Sequence, residues 1–260
     1  MELMQSKTIM TIDKINFEYP TFELKDISFD VPKGSFFGII GPNGSGKTTL
    51  LSLIMKFLKP KSGKILVNGL DISKLSHKKV AQLIAYIAQD FNPAYDFTVE
   101  EIVEMGGIAH GSFFESAVDE EKLTSALSTV DLLDYRKRIF STLSGGQQRR
   151  VLIARAIYQD TPIILADELV NHLDIGQSVR VLDYLKKLTE NGKTVVGTFH
   201  DIPLAVKYCD YIVVMKNGKI VSMGSPSEVI TEKLLSEVYN ISLKVIPNPA
   251  PNMNYPLIII

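Results

Sequence analysis

The stretch GPNGSGKT at residues 41–48 constrains the fold of this chain more than any other part of its sequence. It matches the pattern G-x-x-x-x-G-K-[ST], in which backbone amides surround an anion while the lysine and the hydroxyl reach the outer phosphates. The apolar run Ser35–Ile40 precedes it and a helical pattern follows, which is the strand–loop–helix context that the motif requires. The loop therefore predicts a nucleotide triphosphate site at the end of a sheet strand.

Each residue type in this loop suits phosphate binding. Gly44 and Gly46 let the backbone turn its amides inward, and the following helix adds its positive N-terminal end. We expect Lys47 to reach the terminal phosphates and assist catalysis, and the Thr48 hydroxyl to bind Mg²⁺. The predicted nucleotide contacts on the loop are Gly41, Asn43, Gly44, Ser45, Gly46, Lys47, Thr48 and Thr49.

The composition is that of a globular chain without a strong electrostatic bias. Of 260 residues, 45% are hydrophobic, and 28 basic against 29 acidic residues give a net charge of −1. That balance disfavours a nucleic-acid partner, which would attract a basic surface. The lone Cys209 is expected to be a buried thiol in a reducing compartment. We find neither a signal-peptide pattern nor a run of roughly 18 apolar residues, so we expect a cytosolic chain that a partner can hold at a membrane.

Short apolar runs alternate with helical patterns, which favours an α/β fold with a largely parallel sheet. The predicted strands of that sheet are Ser35–Ile40, Ile84–Ala88, Ile163–Asp167, Thr194–Phe199 and Tyr211–Met215. Two closely spaced runs, Ile9–Tyr19 and Phe22–Val31, predict an antiparallel β portion beside it.

Residues 92–162 carry helical signals without strand signals, so we predict an inserted helical subdomain there. The antiparallel portion and the parallel core then occupy residues 1–91 and 163–240 of a single domain. The proline-rich tail 241–260 is expected to be extended or irregular.

Two adjacent acids follow the apolar run in the segment IILADELVNHLD, residues 163–174. A buried parallel strand brings its carboxyl end to the ligand-binding edge of the sheet. Asp167 is therefore predicted to hold Mg²⁺ through water, and Glu168 to orient or deprotonate a water that attacks the γ-phosphate. From this segment alone, a strand that ends in two solvated acids remains the alternative.

The segment LSGGQQRR, residues 143–150, precedes an amphipathic helical pattern. Ser144 and the amides after it would lie at a helix N-terminus, which is a second anion site in the same chain. A simple helix cap needs Ser144 alone, so the pair Gly145 and Gly146 implies that a ligand approaches the backbone closely.

Here the sequence resembles the nucleotide-binding subunits of ABC transporters, whose signature motif is LSGGQ. The resemblance extends over nearly all 260 residues. Its further positions are Tyr19 for adenine stacking, Gln89 for the Q-loop, Asp167 and Glu168 for Walker B, Asp174 for the D-loop, and His200 for the switch histidine.

The resemblance implies a RecA-like P-loop NTPase core that binds ATP and Mg²⁺ and hydrolyses ATP. It implies catalytic roles for Lys47, Glu168 and His200. It adds Gln89 to Thr48 and Asp167 as the metal-binding side chains. It also implies a head-to-tail dimer, in which residues Ser144, Gly145, Gly146 and Gln147 of one copy cover the ATP of the other.

Three further stretches look like the ATPases of bacterial and archaeal importers for iron–siderophore, haem and cobalamin. They are His77–Gln89, Phe97–Gly106 and Leu173–Gln177. Such a subunit would lie peripherally on the cytoplasmic face of the membrane, with its helical subdomain against integral-membrane permease subunits and an external substrate-binding protein in the same system. The residues expected on that surface are Phe91, Pro93, Tyr95 and Phe97.

Two alternatives belong to other functional classes. One is a soluble ABC-type ATPase of iron–sulfur assembly or another non-transport role, and the other is a nucleotide switch that does not hydrolyse ATP. The family's usual Pro-Thr after the glutamate is replaced here by Leu169-Val170. We expect a small loss of stability from the missing proline, and we hypothesise a shift of residues 171–174 at the dimer seam.

Overall fold

A computed structural model describes residues 8–111, 118–168, 170–249 and 255–259. Its strands are β1 (Thr8–Tyr19), β2 (Phe22–Pro32), β3 (Phe36–Ile40), β4 (Ser62–Val67), β5 (Leu70–Asp71), β6 (Ile84–Ile87), β7 (Ile163–Ala166), β8 (Thr194–Phe199), β9 (Tyr211–Lys216), β10 (Lys219–Gly224), β11 (Lys244–Ile246) and β12 (Leu257–Ile259). Its helices are α1 (Lys47–Ile54), α2 (His77–Ala81), α3 (Val99–Glu104), α4 (Glu120–Thr129), α5 (Gly145–Gln159), α6 (Ile175–Glu190), α7 (Ile202–Tyr208), α8 (Pro226–Val229) and α9 (Glu232–Tyr239).

The central sheet has six strands in the order β10-β9-β3-β8-β7-β6. Five of them run parallel, and β10 pairs antiparallel with β9 at one edge. Every residue of β3, β7 and β8 is buried. A parallel sheet is covered on both faces, so its strands read as continuous apolar runs, and the five predicted strands are confirmed.

Successive side chains of β3 enter two different cores. Phe36 joins a cluster formed with the helices that follow residue 98, whereas Phe37 joins a cluster on the opposite face with β1, β2 and α1. This division follows from the twofold alternation of side chains along a strand. The carboxyl ends of β3, β7 and β8 consequently meet at one edge between the two cores.

The second sheet is antiparallel, in the order β2-β1-β4-β5. The predicted antiparallel β portion is confirmed, since β1 and β2 pair as a hairpin with Tyr19 opposite Phe22 across the turn. Strands β4 and β5 were absent from the prediction. β4 starts with Ser62 and Gly63, which are weak strand formers, and it gains its pairing from the distant β1.

The described residues between 92 and 162 form helices and turns, with a single bridge between Thr98 and Ile139. Thr98 and Glu101 form a capping box at the start of α3. Helix α5 begins at Gly145 because Ser144 is its cap. The segment is helical as expected, while the subdomain boundaries at 92 and 162 stay a prediction.

The C-terminal tail contains more regular structure than its prolines suggested. Lys244–Ile246 and Leu257–Ile259 pair antiparallel, and Val245 and Ile258 pack on the main core. Strand pairing across an intervening segment leaves no local signal in the sequence. No helix within the described ranges has the length and apolarity needed to cross a bilayer.

Candidate nucleotide-binding site

The phosphate loop joins β3 to α1 and is held by its neighbours. Gly41 has φ 152°, and a Cβ there would lie 2.2 Å from the carbonyl oxygen of Met215. Gly46 caps α1 with φ 102°, where a Cβ would lie within 2.6 Å of the side chains of Leu24 and Phe22. Glycine is therefore required at both positions by the loop's conformation and by close packing.

Lys47 lies inside the loop. Its Nζ donates to the carbonyl oxygens of Gly41 at 2.8 Å and Pro42 at 3.3 Å. Burial lowers the pKa of Lys47, and the negative charges of Glu168 and Asp167 oppose that shift. A desolvated ammonium next to an open cleft gains strongly from an added anion.

The cleft beside Lys47 has a volume of about 170 Å³ and is predominantly formed by the loop. It is lined by Phe22, Asn43, Gly44, Gly46, Lys47, Thr48, Thr49 and Glu168. The sequence predictions for the loop and for Glu168 thus meet in one place.

Asp167 sits at the end of β7, almost fully buried. Its Oδ1 accepts a hydrogen bond from Thr198 Oγ1 at 2.6 Å and a longer one from Thr48 Oγ1 at 3.4 Å. Burial raises the pKa of Asp167, and these hydroxyl donors counteract the rise. Burial and the nearby Asp167 charge raise the pKa of Tyr86 to about 12, so that phenol stays neutral.

Thr48 and Asp167 fit a magnesium ion. A hydroxyl and a carboxylate are the hard oxygen donors that Mg²⁺ takes, usually together with water and substrate phosphates. The Thr48 hydroxyl already lies 3.4 Å from Asp167 Oδ1.

Glu168 is fixed by three neighbours. Its backbone has φ 47°, and its N–H donates to Thr198 Oγ1 at 2.8 Å. Its Oε2 accepts from Asn171 Nδ2 at 2.5 Å, and its Oε1 contacts His200 Nε2. Glu168 and His200, which are 32 positions apart in the chain, are therefore brought together as predicted.

Sequence reasoning missed Thr198 and Asn171. The strand TVVGTF showed a hydroxyl at Thr198 near its carboxyl end, but nothing in the sequence named the partner of that hydroxyl. Asn171 gave no signal, because a polar residue in a loop is unremarkable without knowledge of its partner.

Residues 143–147, which we call the signature segment, lie elsewhere on the described surface and do not line the cleft around Lys47. Ser144 and Gly145 are exposed. The Ser144 hydroxyl accepts from Gln147 N–H at 3.4 Å, and Gln147 Oε1 accepts from Ser144 N–H at 3.0 Å, which is a capping box.

The two glycines of this segment have different surroundings. A Cβ at Gly145 would have space, with its nearest neighbour Leu173 Cδ2 at 3.8 Å. A Cβ at Gly146 would lie 2.6 Å from Gln177 Oε1. The close approach at Gly146 is to the side chain of Gln177 on α6, whereas Gly145 is open, and a ligand that approaches both glycines stays a prediction.

Three other predicted residues are dispersed. Tyr19 is 43% exposed, and its ring packs edge-on against Phe17 at a centroid distance of 4.7 Å. Gln89 lines a separate cavity of about 140 Å³ together with Gly145 and residues 171–173. Asp174 caps α6 through a 2.8 Å bond from Gln177 N–H to its Oδ1.

Comparison with known proteins gives a consistent picture. A family model described as ABC transporter matches residues 24–171. A petrobactin import ATP-binding protein of Bacillus subtilis is 37% identical over 85% of this chain and 88% of its own length. A ferric enterobactin transport ATP-binding protein of Escherichia coli is 34% identical over 86% of this chain and 84% of its own length.

A cobalamin import ATP-binding protein of Halobacterium salinarum is 33% identical over 87% of this chain, which spans 57% of the length of that relative. Among solved structures, an inward-facing transporter described as of metal-chelate type superposes with a TM-score of 0.85. It is 26% identical and covers 97% of both chains.

Proposed function

This chain belongs to the ABC transporter family, and on that premise we propose that it is the ATP-binding and ATP-hydrolysing subunit of an importer. One observation carries the proposal. Lys47, Thr48, Asp167, Glu168 and His200 converge on the edge of the sheet where the phosphate loop opens. Together they supply a cation, metal-binding oxygens and a positioned base, which are the parts that phosphoryl transfer to water needs.

The cargo class follows from the relatives. Those compared above are named for petrobactin, enterobactin and cobalamin, and the solved structure is described as of metal-chelate type. We therefore propose that the transported substrate is an iron–siderophore, haem, cobalamin or a related metal chelate, delivered by an external substrate-binding protein. Selectivity for one chelate would lie in subunits other than this chain.

ATP binding uses the loop and one aromatic ring. The exposed face of Tyr19 is available to stack on adenine, while Lys47 and the backbone amides of residues 44–49 receive the phosphates. When bound, Mg²⁺ neutralises charge on the phosphate oxygens. Thr48 and Asp167 would hold it. Gln89 lines a separate cavity in this structure, and its place in the set rests on the family resemblance alone.

Hydrolysis assigns separate tasks to Glu168 and His200. Glu168 takes a proton from the attacking water. At the same time the water oxygen bonds to the γ-phosphorus, and the bond between that phosphorus and the ADP oxygen breaks. His200, next to Glu168 Oε1, would turn to the γ-phosphate and leave that carboxylate oxygen free for water. The products are ADP and inorganic phosphate.

A second copy of the chain completes the site. Ser144 and Gly145 are exposed, and the signature segment does not line the chain's own described cleft. We propose that these residues and Gln147 cover ATP bound to the partner's phosphate loop, as the helix-end amides and the Ser144 hydroxyl add to neutralisation of the γ-phosphate. Gly146 would keep this helix end close to α6.

We propose that the permease subunits dock in a groove between the core and the helical segment 92–162. The groove has a volume of about 670 Å³ and includes Phe57 and Ile108, both about half exposed. Of the aromatic residues predicted for this surface, Tyr95 is 77% exposed, whereas Phe91 and Phe97 pack against the core. Docking there would place the chain peripherally on the cytoplasmic face of the membrane.

The experiment compares the wild-type chain with Glu168→Gln. We expect turnover to fall by about 10²–10⁴-fold, the usual contribution of a positioned base, with ATP binding retained in a calorimetric titration. Isolation of the chain from native membranes should recover permease subunits, and Phe57→Asp should weaken that association. A wild-type chain without ATPase activity in such a complex would refute the proposal.

A further inference from the structure

We propose that Asn171 is a positioning residue for ATP hydrolysis, which selects the oxygen of Glu168 that acts as the base. The inference rests on the proposed ATPase function. It concerns a residue that none of the motifs identified in the sequence assigns to the reaction.

The geometry is specific. Asn171 Nδ2 donates to Glu168 Oε2 at 2.5 Å, and the backbone N–H of Asn171 donates to the Glu168 carbonyl oxygen at 3.1 Å. The two residues therefore close one turn with both a main-chain and a side-chain bond. Val170, inside that turn, is 9% exposed and belongs to the main core, which anchors the turn.

The two carboxylate oxygens of Glu168 have unequal partners. Oε1 contacts the ring of His200 on a different element, whereas Oε2 is bonded to Asn171 within the same turn. The Asn171 amide donates to one lone pair of Oε2 and so fixes the rotation of the carboxylate, while the partner of Oε1 is a ring on another element that can move away. When His200 turns to the γ-phosphate, Oε1 becomes the free oxygen.

Fixing the carboxylate matters because the base must meet the water in one orientation. The Glu168 side chain is only 12% exposed, so few solvent molecules compete for its oxygens. Thr198 accepts from the Glu168 backbone N–H, and Asn171 donates to the end of the Glu168 side chain. Misplacement of a reacting group by about 1 Å costs on the order of 10²-fold in rate.

Asn171→Ala is expected to lower kcat by about 10–100-fold and to leave the KM for ATP within about twofold, because the loss concerns orientation of the base. Asn171→Asp keeps the shape but replaces the donor by a carboxylate, so it should lower kcat at least as much. Asn191→Ala changes an exposed asparagine at the end of α6 and serves as the control with wild-type kinetics.

The decisive readout is the same change in a Glu168→Gln background. If Asn171 acts through Glu168, adding Asn171→Ala should leave the residual turnover and the ATP-dependent dimerisation of Glu168→Gln unchanged. An equal fold-loss in both backgrounds would overturn the inference, since it would show that Asn171 acts elsewhere, such as at the dimer seam. Wild-type kcat in Asn171→Ala would overturn it as well.

Failure of this inference is distinguishable from failure of the proposed function. A wild-type ATPase that depends on Glu168 but not on Asn171 contradicts the inference alone. A wild-type chain whose turnover is unaffected by Glu168→Gln contradicts the proposed function. Should Asn171→Ala fail to fold in a thermal melt, the isosteric Asn171→Asp carries the same comparison.

Discussion

The phosphate loop and the signature segment are both glycine-containing starts of helices, yet the chain treats them differently. In the loop, Ser45, Gly46 and Lys47 are buried, and the Ser45 carbonyl accepts from Gly218 N–H at 3.2 Å. In the signature segment, Ser144 and Gly145 are exposed. The loop is packed within the chain, whereas the start of the signature helix is open to solvent.

The difference has an energetic meaning. Buried groups of the loop are tied to neighbouring strands, so a change there affects the folded chain and its own nucleotide. An exposed cap contributes little to the fold beyond its helix, about 0.5–2 kcal/mol. A change at Ser144 should therefore act mainly on the partner's site, and the two regions can be tested separately.

Ser144→Arg should have the largest effect on turnover. The long cation would obstruct the partner's approach and remove a donor to its γ-phosphate, and loss of one such donor alone costs about 10²–10³-fold in rate. ATP affinity of the isolated chain should stay unchanged by calorimetry. ATP-dependent dimerisation of this variant on a sizing column would contradict the outward role of the segment.

Lys47→Ala should act on the chain's own nucleotide. Removing a charge-assisted contact worth about 1.5–3 kcal/mol predicts a loss of about 10–100-fold in ATP affinity. Calorimetric titration measures it, with Ser144→Arg as the matched variant in the other region. Equal ATP affinity in Lys47→Ala and the wild-type chain would refute the assignment of the loop.

Thr198→Val tests the difference between the two regions through the free energy of unfolding. The change leaves Asp167 and the Glu168 N–H without their shared hydroxyl, and unsatisfied buried groups cost about 1–3 kcal/mol. Thr142→Val, in the exposed stretch before the signature, should change the free energy of unfolding by less than about 0.5 kcal/mol. Urea denaturation measures the free energy of unfolding of both variants. An equal loss in the two would contradict the view that the buried residues around the phosphate loop are held more tightly than the signature segment.

Leu169→Pro/Val170→Thr should have the smallest effect. Proline at 169 should stabilise the chain by about 0.4–1 kcal/mol through the unfolded state, and the hydroxyl that threonine brings to the buried position 170 should offset that gain. Leu169 lies outside the described residues, while the side chain of Val170 is buried. We expect turnover within twofold of the wild type. A changed cooperativity in ATP would instead support the hypothesis that this pair shifts the seam residues 171–174.

Much of the fold was predictable because its signals are local. β3, β7 and β8 read as strands from their continuous apolar runs, and Ser144 marked a helix start. β4 and the pair β11–β12 were missed, since each depends on pairing with a distant segment. A strand that begins with Ser62 and Gly63 carries too little intrinsic preference to be seen alone.

The residues of the candidate site also fall into a group that the sequence predicted and a group that it did not. Motif residues such as Lys47 and Asp167 were predicted because their spacing is itself the signal. Thr198 gains its role from a bond to Asp167 across 31 positions, and Asn171 from one side-chain bond within a turn. Neither bond can be read from residue type or order.

Cross-linking between chains tests the central claim, that the two regions meet only between copies. Asn43→Cys and Ser144→Cys are placed on separate chains in a Glu168→Gln background, so that bound ATP persists. The native Cys209 is buried, and burial raises the pKa of its thiol, so it should stay unreactive. A short bismaleimide then reports proximity of the two exposed positions.

We predict an ATP-dependent product of two chains in the mixture. In contrast, a chain that carries both cysteines should not cross-link internally as a monomer. Absence of the two-chain product at saturating ATP, or an internal cross-link within one chain, would contradict the account.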